Sequence, residues 1–213
     1  MIEIALTTFA TLIVIIDPIG LSPIFVALTS GTSPAQRRKI AFTACGIGFM
    51  ILALFGLGGE KLLDVVGIGM PAFRIAGGLL LFLIAVEMLF EKRTQRRGKQ
   101  AEDAGDASQA DNDPSVFPLA TPLIAGPGAL TTMILLVNEH DDFASQALIF
   151  VVMGAVVLSV LLMFLLGGIL EKILGKVGIN VVTRLLGMLL AALSVQFVID
   201  GLRGAGFLAL SPT

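Results

Sequence analysis

One carboxylate, Asp17, stands inside an otherwise apolar run, and a proline follows it at once: Ile16-Asp17-Pro18-Ile19-Gly20-Leu21-Ser22-Pro23. Aspartate followed by proline is how a helix starts. The carboxylate accepts from the first free N–H groups, and proline, with none to offer, fits the first turn. About thirteen apolar residues precede Asp17, so at 1.5 Å per residue this start lies roughly 20 Å along a helix already under way. A second stretch, Pro122-Leu123-Ile124-Ala125-Gly126-Pro127-Gly128-Ala129-Leu130-Thr131-Thr132, repeats the signal with glycine in place of the carboxylate. Each start exposes N–H groups bearing partial positive charge. Asp17 caps the first and leaves that place net negative. At the second, the N–H groups of Gly128 and Ala129 stay open to an anion. A zwitterion fits this asymmetry, with its ammonium toward Asp17 and its carboxylate toward the second break. The expected solute contacts are Asp17, Pro18, Gly20 and Ser22 on one side, and Gly126, Pro127, Gly128, Ala129, Thr131 and Thr132 on the other.

Both stretches need a medium that keeps them dry. Of 213 residues, 56% are hydrophobic and 14% charged, whereas a soluble domain carries about 25% charged residues. No interior of this size could hide so much apolar surface; lipid removes the difficulty. At about 20 apolar residues per crossing, the chain holds six spans: 4–29, 40–59, 71–90, 117–137, 146–170 and 181–202. Spans one and four are the interrupted ones. Unwound backbone at membrane depth is tolerated only under protein or beside a water-filled cavity, and a carboxylate there is costly and usually functional. The plainer role for Asp17 is a cap serving the fold alone. Ser22, Thr131 and Thr132 divide the same way, between back-bonding to their own helices and touching a solute. Arg74, Glu87, Arg184 and Asp200 lie near span ends, where side chains reach the headgroups.

The halves match in order at a nearly constant separation of about 110 positions. Pro18, Leu21 and Ser22 align with Pro127, Leu130 and Thr131; Phe55, Gly58 and Gly59 with Phe164, Gly167 and Gly168; Arg74 and Gly77 with Arg184 and Gly187. Three spans per half is an odd number, so the second copy inserts upside down. The expected fold is an all-α membrane protein of six transmembrane helices, in two inverted three-helix repeats (1–90 and 116–213), with helices one and four broken at Asp17-Pro18 and Gly126-Pro127. Secondary transporters recurrently use this architecture and place solute near the midplane. Between the repeats, 91–115 is polar, basic as far as Lys99 and acidic after it. Such composition buries too little apolar surface to fold and reads as a flexible cytoplasmic linker.

Lysine and arginine concentrate in the loops after spans one, three and five, which makes those loops cytoplasmic and both termini periplasmic. The N-terminus lacks the basic region of a cleaved signal, so span one is expected to stay. Cys45 lies in an apolar run and His140 in a solvated acidic loop, so no metal site is expected. No basic face for nucleic acid and no nucleotide-binding loop occurs, and no cofactor is expected.

At Asp17-Pro18-x-Gly20-x-x-Pro23-x-Phe25 and Pro122-Leu123-x-x-Gly126-Pro127-Gly128-x-x-Thr131 the chain resembles the MarC family of bacterial inner-membrane proteins, along its whole length. The paired motifs carry the likeness; either alone is weak. The resemblance implies a multi-pass protein of the bacterial cell inner membrane. Related members transport glycine and other small neutral amino acids, which implies amino-acid transport here. The expected function is a secondary transporter, for uptake or export, of small neutral amino acids or similar small polar solutes. Its partners are that solute, the lipid bilayer and a coupling proton or sodium ion, which Asp17 is placed to carry or to shape with backbone carbonyls. Two rivals come from other classes. One is an intramembrane enzyme using Asp17 and Asp200, which must then reach one bond together. The other is a structural or regulatory membrane component without transport.

Overall fold

The computed structural model describes residues 1–93, 95–99 and 113–207. The acidic part of the expected linker, 101–111 included, lies outside the described residues. Helices α1 (Ile2–Ile16) and α2 (Pro18–Leu28) make one span joined at Asp17. Helix α3 (Pro34–Val66) starts at Ser33, which caps the Gln36 N–H, and stops at Gly67 in the left-handed conformation that glycine supplies. Helix α4 (Met70–Leu89) follows. Segment α5 (Ser115–Ile124) is irregular, holding Pro118 and Pro122 and extended backbone at Phe117 and Thr121. It leads into α6 (Pro127–Asn138) at a bend of 56°. Helix α7 (Phe143–Gly204) opens on Asp142, whose carboxylate accepts from the Ser145 N–H at 2.8 Å, a bond that holds its carboxyl below the usual range. Gly175, at φ +61°, divides α7 into arms Phe143–Gly167 and Val177–Gly204. Among the described residues five helical stretches, α1 with α2 and each arm of α7 counted singly, are long and apolar enough to cross a membrane, and the bent pair makes a sixth when taken as one span. Among the described residues there is no strand.

Burial follows helical period but not the pattern of a soluble protein. On α4, Gly77, Leu81, Ile84, Ala85 and Met88 face inward. Leu79 and Leu83, on the opposite face, are bare, as are Leu54 and Leu57 of α3 and Val151 and Leu158 of α7. An apolar belt of this kind faces lipid. Innermost is α6, where Thr131 to Val137 are buried without interruption; a helix apolar on every side belongs in a core.

Glycines set the close contacts. Gly48, Gly56 and Gly59 seat α3 against Ile124, Met133 and Ile134. On the other side, the first arm of α7 holds α2: Phe164 stacks on Phe25 with centroids 4.2 Å apart, and the Ser22 hydroxyl donates to the Met163 carbonyl at 3.4 Å. Gly78 seats α4 on Ser194 and Val198 of the second arm, and Gly187 rests on Met88.

Two sets of contacts mark the two ends of the bundle. One end gathers Met1 beside Ser145, Arg74 paired with Glu139 at 2.9 Å, and Gly201 against Pro71. The other gathers Arg37 beside Gly167, and Glu91 paired with Arg184 at 2.7 Å. Arg74 and Arg184 thus each hold a carboxylate, beyond the headgroup role their positions suggest.

Candidate functional site

The first break barely interrupts its helix. Asp17 takes the left-handed conformation (φ 58°, ψ 67°), which a short polar side chain tolerates. Its N–H still bonds the Ile13 carbonyl and its own carbonyl accepts from Leu21, both at 3.0 Å. Its Oδ1 accepts from the Gly20 N–H at 3.0 Å, completing the cap on α2, with Pro18 in the first turn as the sequence reading requires. A Cβ on Gly20 would run into Asp17 Oδ2, so glycine is what lets the carboxylate curl back.

The other face of Asp17 meets a group that the linker reading left in solvent. Arg97 Nη1 lies 3.5 Å from Oδ2, and Nη2 donates to the Ile16 carbonyl at 3.3 Å. Arg93 donates to the Ile15 carbonyl and touches Met88. Both arginines are 5% exposed and Asp17 is 1% exposed. The described residues of 92–99 are helical, so Arg93 and Arg97 stand one turn apart on one face. Their guanidiniums satisfy the last carbonyls of α1, where its dipole is negative. With Arg96 held by Glu87 at 2.8 Å, two buried cations face one carboxylate. Among the described residues the place therefore carries excess positive charge, opposite in sign to the expectation from Asp17 alone.

The second break is open. Gly126 is extended and no side chain caps α6. A Cβ on Gly126 would sit 2.5 Å from the Pro122 carbonyl oxygen, so this glycine permits a close passage of backbone. A Cβ on Gly128 would press on Ile84, Leu81 and Ile15.

Beside this helix start lies a cavity of about 180 Å³. Its wall includes Gly126, Pro127, Gly128 and Ala129, with Ile15 and Ile84 opposite and Arg93, Arg96 and Arg97 completing it. Of the expected solute contacts, the second-break four line the cavity. Asp17 stands behind Arg97, Gly20 serves the cap, and Ser22 binds α7. Thr131 lies against Gly77, and the buried Thr132 hydroxyl has no partner among the described residues. Asp200 is paired with Arg203 near Pro71, at the opposite end, so the two carboxylates of the enzyme rival are not brought together.

The residues missing from the sequence reading are Arg93, Arg96 and Arg97. A signal existed: a carboxylate at membrane depth wants a countercharge, and no cation lies near Asp17 in its own span. A basic stretch with arginines four apart was the available donor.

The family model described as MarC family integral membrane protein matches residues 2–206. Relatives named UPF0056 membrane protein include one from Archaeoglobus fulgidus, 39% identical over 92% of this chain and 90% of its own length. One from Aquifex aeolicus is 36% identical over 92% and 90%, and YhcE of Escherichia coli is 33% identical over 92% and 90%. No solved structure matches the chain. The chain belongs to the MarC family.

Proposed function

We propose that this MarC-family protein is a secondary transporter, for uptake or export, of small neutral amino acids or similar small polar solutes. The observation that carries the reading is the cavity walled by one open helix start and three arginines, between two broken helices. Its 180 Å³ is room for one small solute, since a water takes about 30 Å³ of liquid. Broken helices facing a midplane site are the recurrent device of such carriers.

The packing also supports duplication with inversion. Helix α3 of the first half seats against α5 and α6 of the second, while the first arm of α7 seats against α1 and α2. A twofold axis would impose this exchange, with α4 and the second arm paired along it. The end bearing Arg37, Arg38 and the arginines after α4 faces the cytoplasm on this reading, with both termini periplasmic in a bacterial inner membrane. Coupling through Asp17 then has a defined obstacle: a proton or sodium ion must compete with Arg97 for one carboxylate.

Counterflow of labelled glycine and alanine into proteoliposomes tests the proposal. Saturable accumulation, driven by unlabelled amino acid inside, is the expected outcome. Folded protein that exchanges neither would leave a structural or regulatory membrane component as the better reading.

A further inference from the structure

We infer that the cavity reads a solute's carboxylate through Arg93, Arg96 and Arg97 and has no reader for an amine, so that its ligand class is the small monocarboxylates, of which small amino acids are one subset. The inference rests on the transport reading and sharpens what that site selects.

Charge is the first ground. Arg93 and Arg97 are closed off from water, and Asp17 is the one buried carboxylate beside them among the described residues. Buried charge left without a counter-ion is heavily penalised, and here one positive charge is left over among the described residues. The uncapped start of α6, on the same cavity, adds partial positive charge rather than relieving it. A monoanion in the cavity would neutralise the cluster, and a zwitterion, with no net charge, would answer it at its carboxylate end alone. Donors are the second ground: a guanidinium has five N–H groups, and Arg93 and Arg97 each give two of them to Met88, Ile15, Asp17 and Ile16, which leaves others for a carboxylate. The remaining wall, chiefly Ile15, Ile84 and Leu123, suits a short hydrocarbon.

The amine half of the zwitterion idea loses its partner. Asp17 Oδ1 is taken by the Gly20 N–H and Oδ2 by Arg97. Glu87 holds Arg96 and is not part of the cavity wall. No carboxylate lines the cavity among the described residues, so an ammonium group entering with the solute meets guanidiniums and no counter-ion. Acetate should therefore bind at least as well as glycine, whose ammonium meets like charge in the wall.

Equilibrium binding to the full-length protein in nanodiscs tests this with three probes: glycine, acetate and methylamine. Glycine and acetate should compete, with acetate the tighter or equal ligand, while methylamine binds to neither the free nor the acetate-loaded protein. Arg96→Gln, at a half-exposed position where folding is safe, should weaken both anions tenfold or more. The paired exchange Asp17→Asn with Arg97→Gln, which keeps the net buried charge unchanged, should weaken them similarly. Unchanged affinity in both variants would overturn the assignment to arginines. Glycine binding without acetate, or competition from methylamine, would show an amine reader and overturn the inference while the transport reading stands. Acetate binding with no binding or vesicle exchange of any amino acid would do the reverse, sparing the carboxylate reader and removing amino acids as cargo. If nothing binds to folded protein, both fall.

Discussion

The two breaks are built from the same signal, a helix start with proline in the first turn, yet they end as opposites. At Asp17 the two helices still make one span, the Gly20 N–H is capped by the Asp17 carboxylate, and Arg97 closes the far side. At Gly126 the chain turns through 56°, no side chain caps the new helix, and a cavity opens at its start. A single residue type decides between them. A carboxylate satisfies the helix from within and then demands a cation, whereas glycine leaves the N–H groups to whatever fills the space. Two similar motifs thus divide the work, one holding the arginines in place and the other presenting donors beside them.

The largest blow to this division should come from Arg97→Ala. It takes the guanidinium from Asp17 Oδ2 and a donor from the Ile16 carbonyl, and with Arg93 still near to offset the charge the cost should be about 3 kcal/mol, the low end for breaking a buried ion pair. SDS titration of the folded protein in mixed micelles would read the loss. Combining it with Asp17→Asn should recover most of it, because Asn caps about as well as Asp and carries no charge to leave unpaired. If the double variant is as unstable as the single, Asp17 is not what Arg97 serves.

The two glycines sharpen the contrast at a smaller scale. At Gly126 an added methyl meets backbone, the Pro122 carbonyl at 2.5 Å, which cannot swing aside. Gly126→Ala should therefore cost about 1–3 kcal/mol, in the range of overpacked cores. At Gly20 the obstacle is the Asp17 side chain, which can move but only by surrendering its bond to the Gly20 N–H. Gly20→Ala should cost about 1 kcal/mol, the worth of a cap. The same titration ranks them, and the reverse order would mean that the second break relaxes more readily than the first.

The helical membrane fold was legible because its signals are local. Runs of about 20 apolar residues, helix starts with proline, and the sorting of basic loops all depend on near neighbours in the chain. So did the breaks, whose positions at Asp17 and Gly126 need only the preferences of aspartate, glycine and proline. The cavity was half legible, since Gly126, Pro127, Gly128 and Ala129 line it as the uncapped start implied. Its other half depends on a contact between Asp17 and a residue 80 positions away. Composition ranked the stretch after α4 as solvated, because a run of arginines has no apolar face to bury. What holds Arg93 and Arg97 inside is not apolar area but the free carbonyls of Ile15 and Ile16 and the charge on Asp17. Those acceptors are free only because α1 ends at Asp17, before Pro18 opens α2. Sequence marked that ending but read it as a feature sufficient to itself.

The smallest expected change in stability is also the cleanest separation of holding from presenting. Arg96 lines the cavity like its two neighbours, but its side chain is 52% exposed and its bond to Glu87 lies at the surface. Exposed pairs of that kind contribute about 0–1 kcal/mol, and Arg96 touches neither Asp17 nor the ends of α1 among the described contacts. Arg96→Gln should unfold within that margin of wild type in the SDS titration. A glutamine keeps much of the stem and a hydrogen-bonding end, so the change removes charge more than shape. Counterflow of glycine through the variant should nonetheless fall, because a wall with one cation fewer attracts a carboxylate less strongly. If stability falls with transport by the full cost of a buried pair, Arg96 belongs with the holding group at the first break. The comparison would then have to be redrawn around three anchoring arginines rather than two anchors and one free wall.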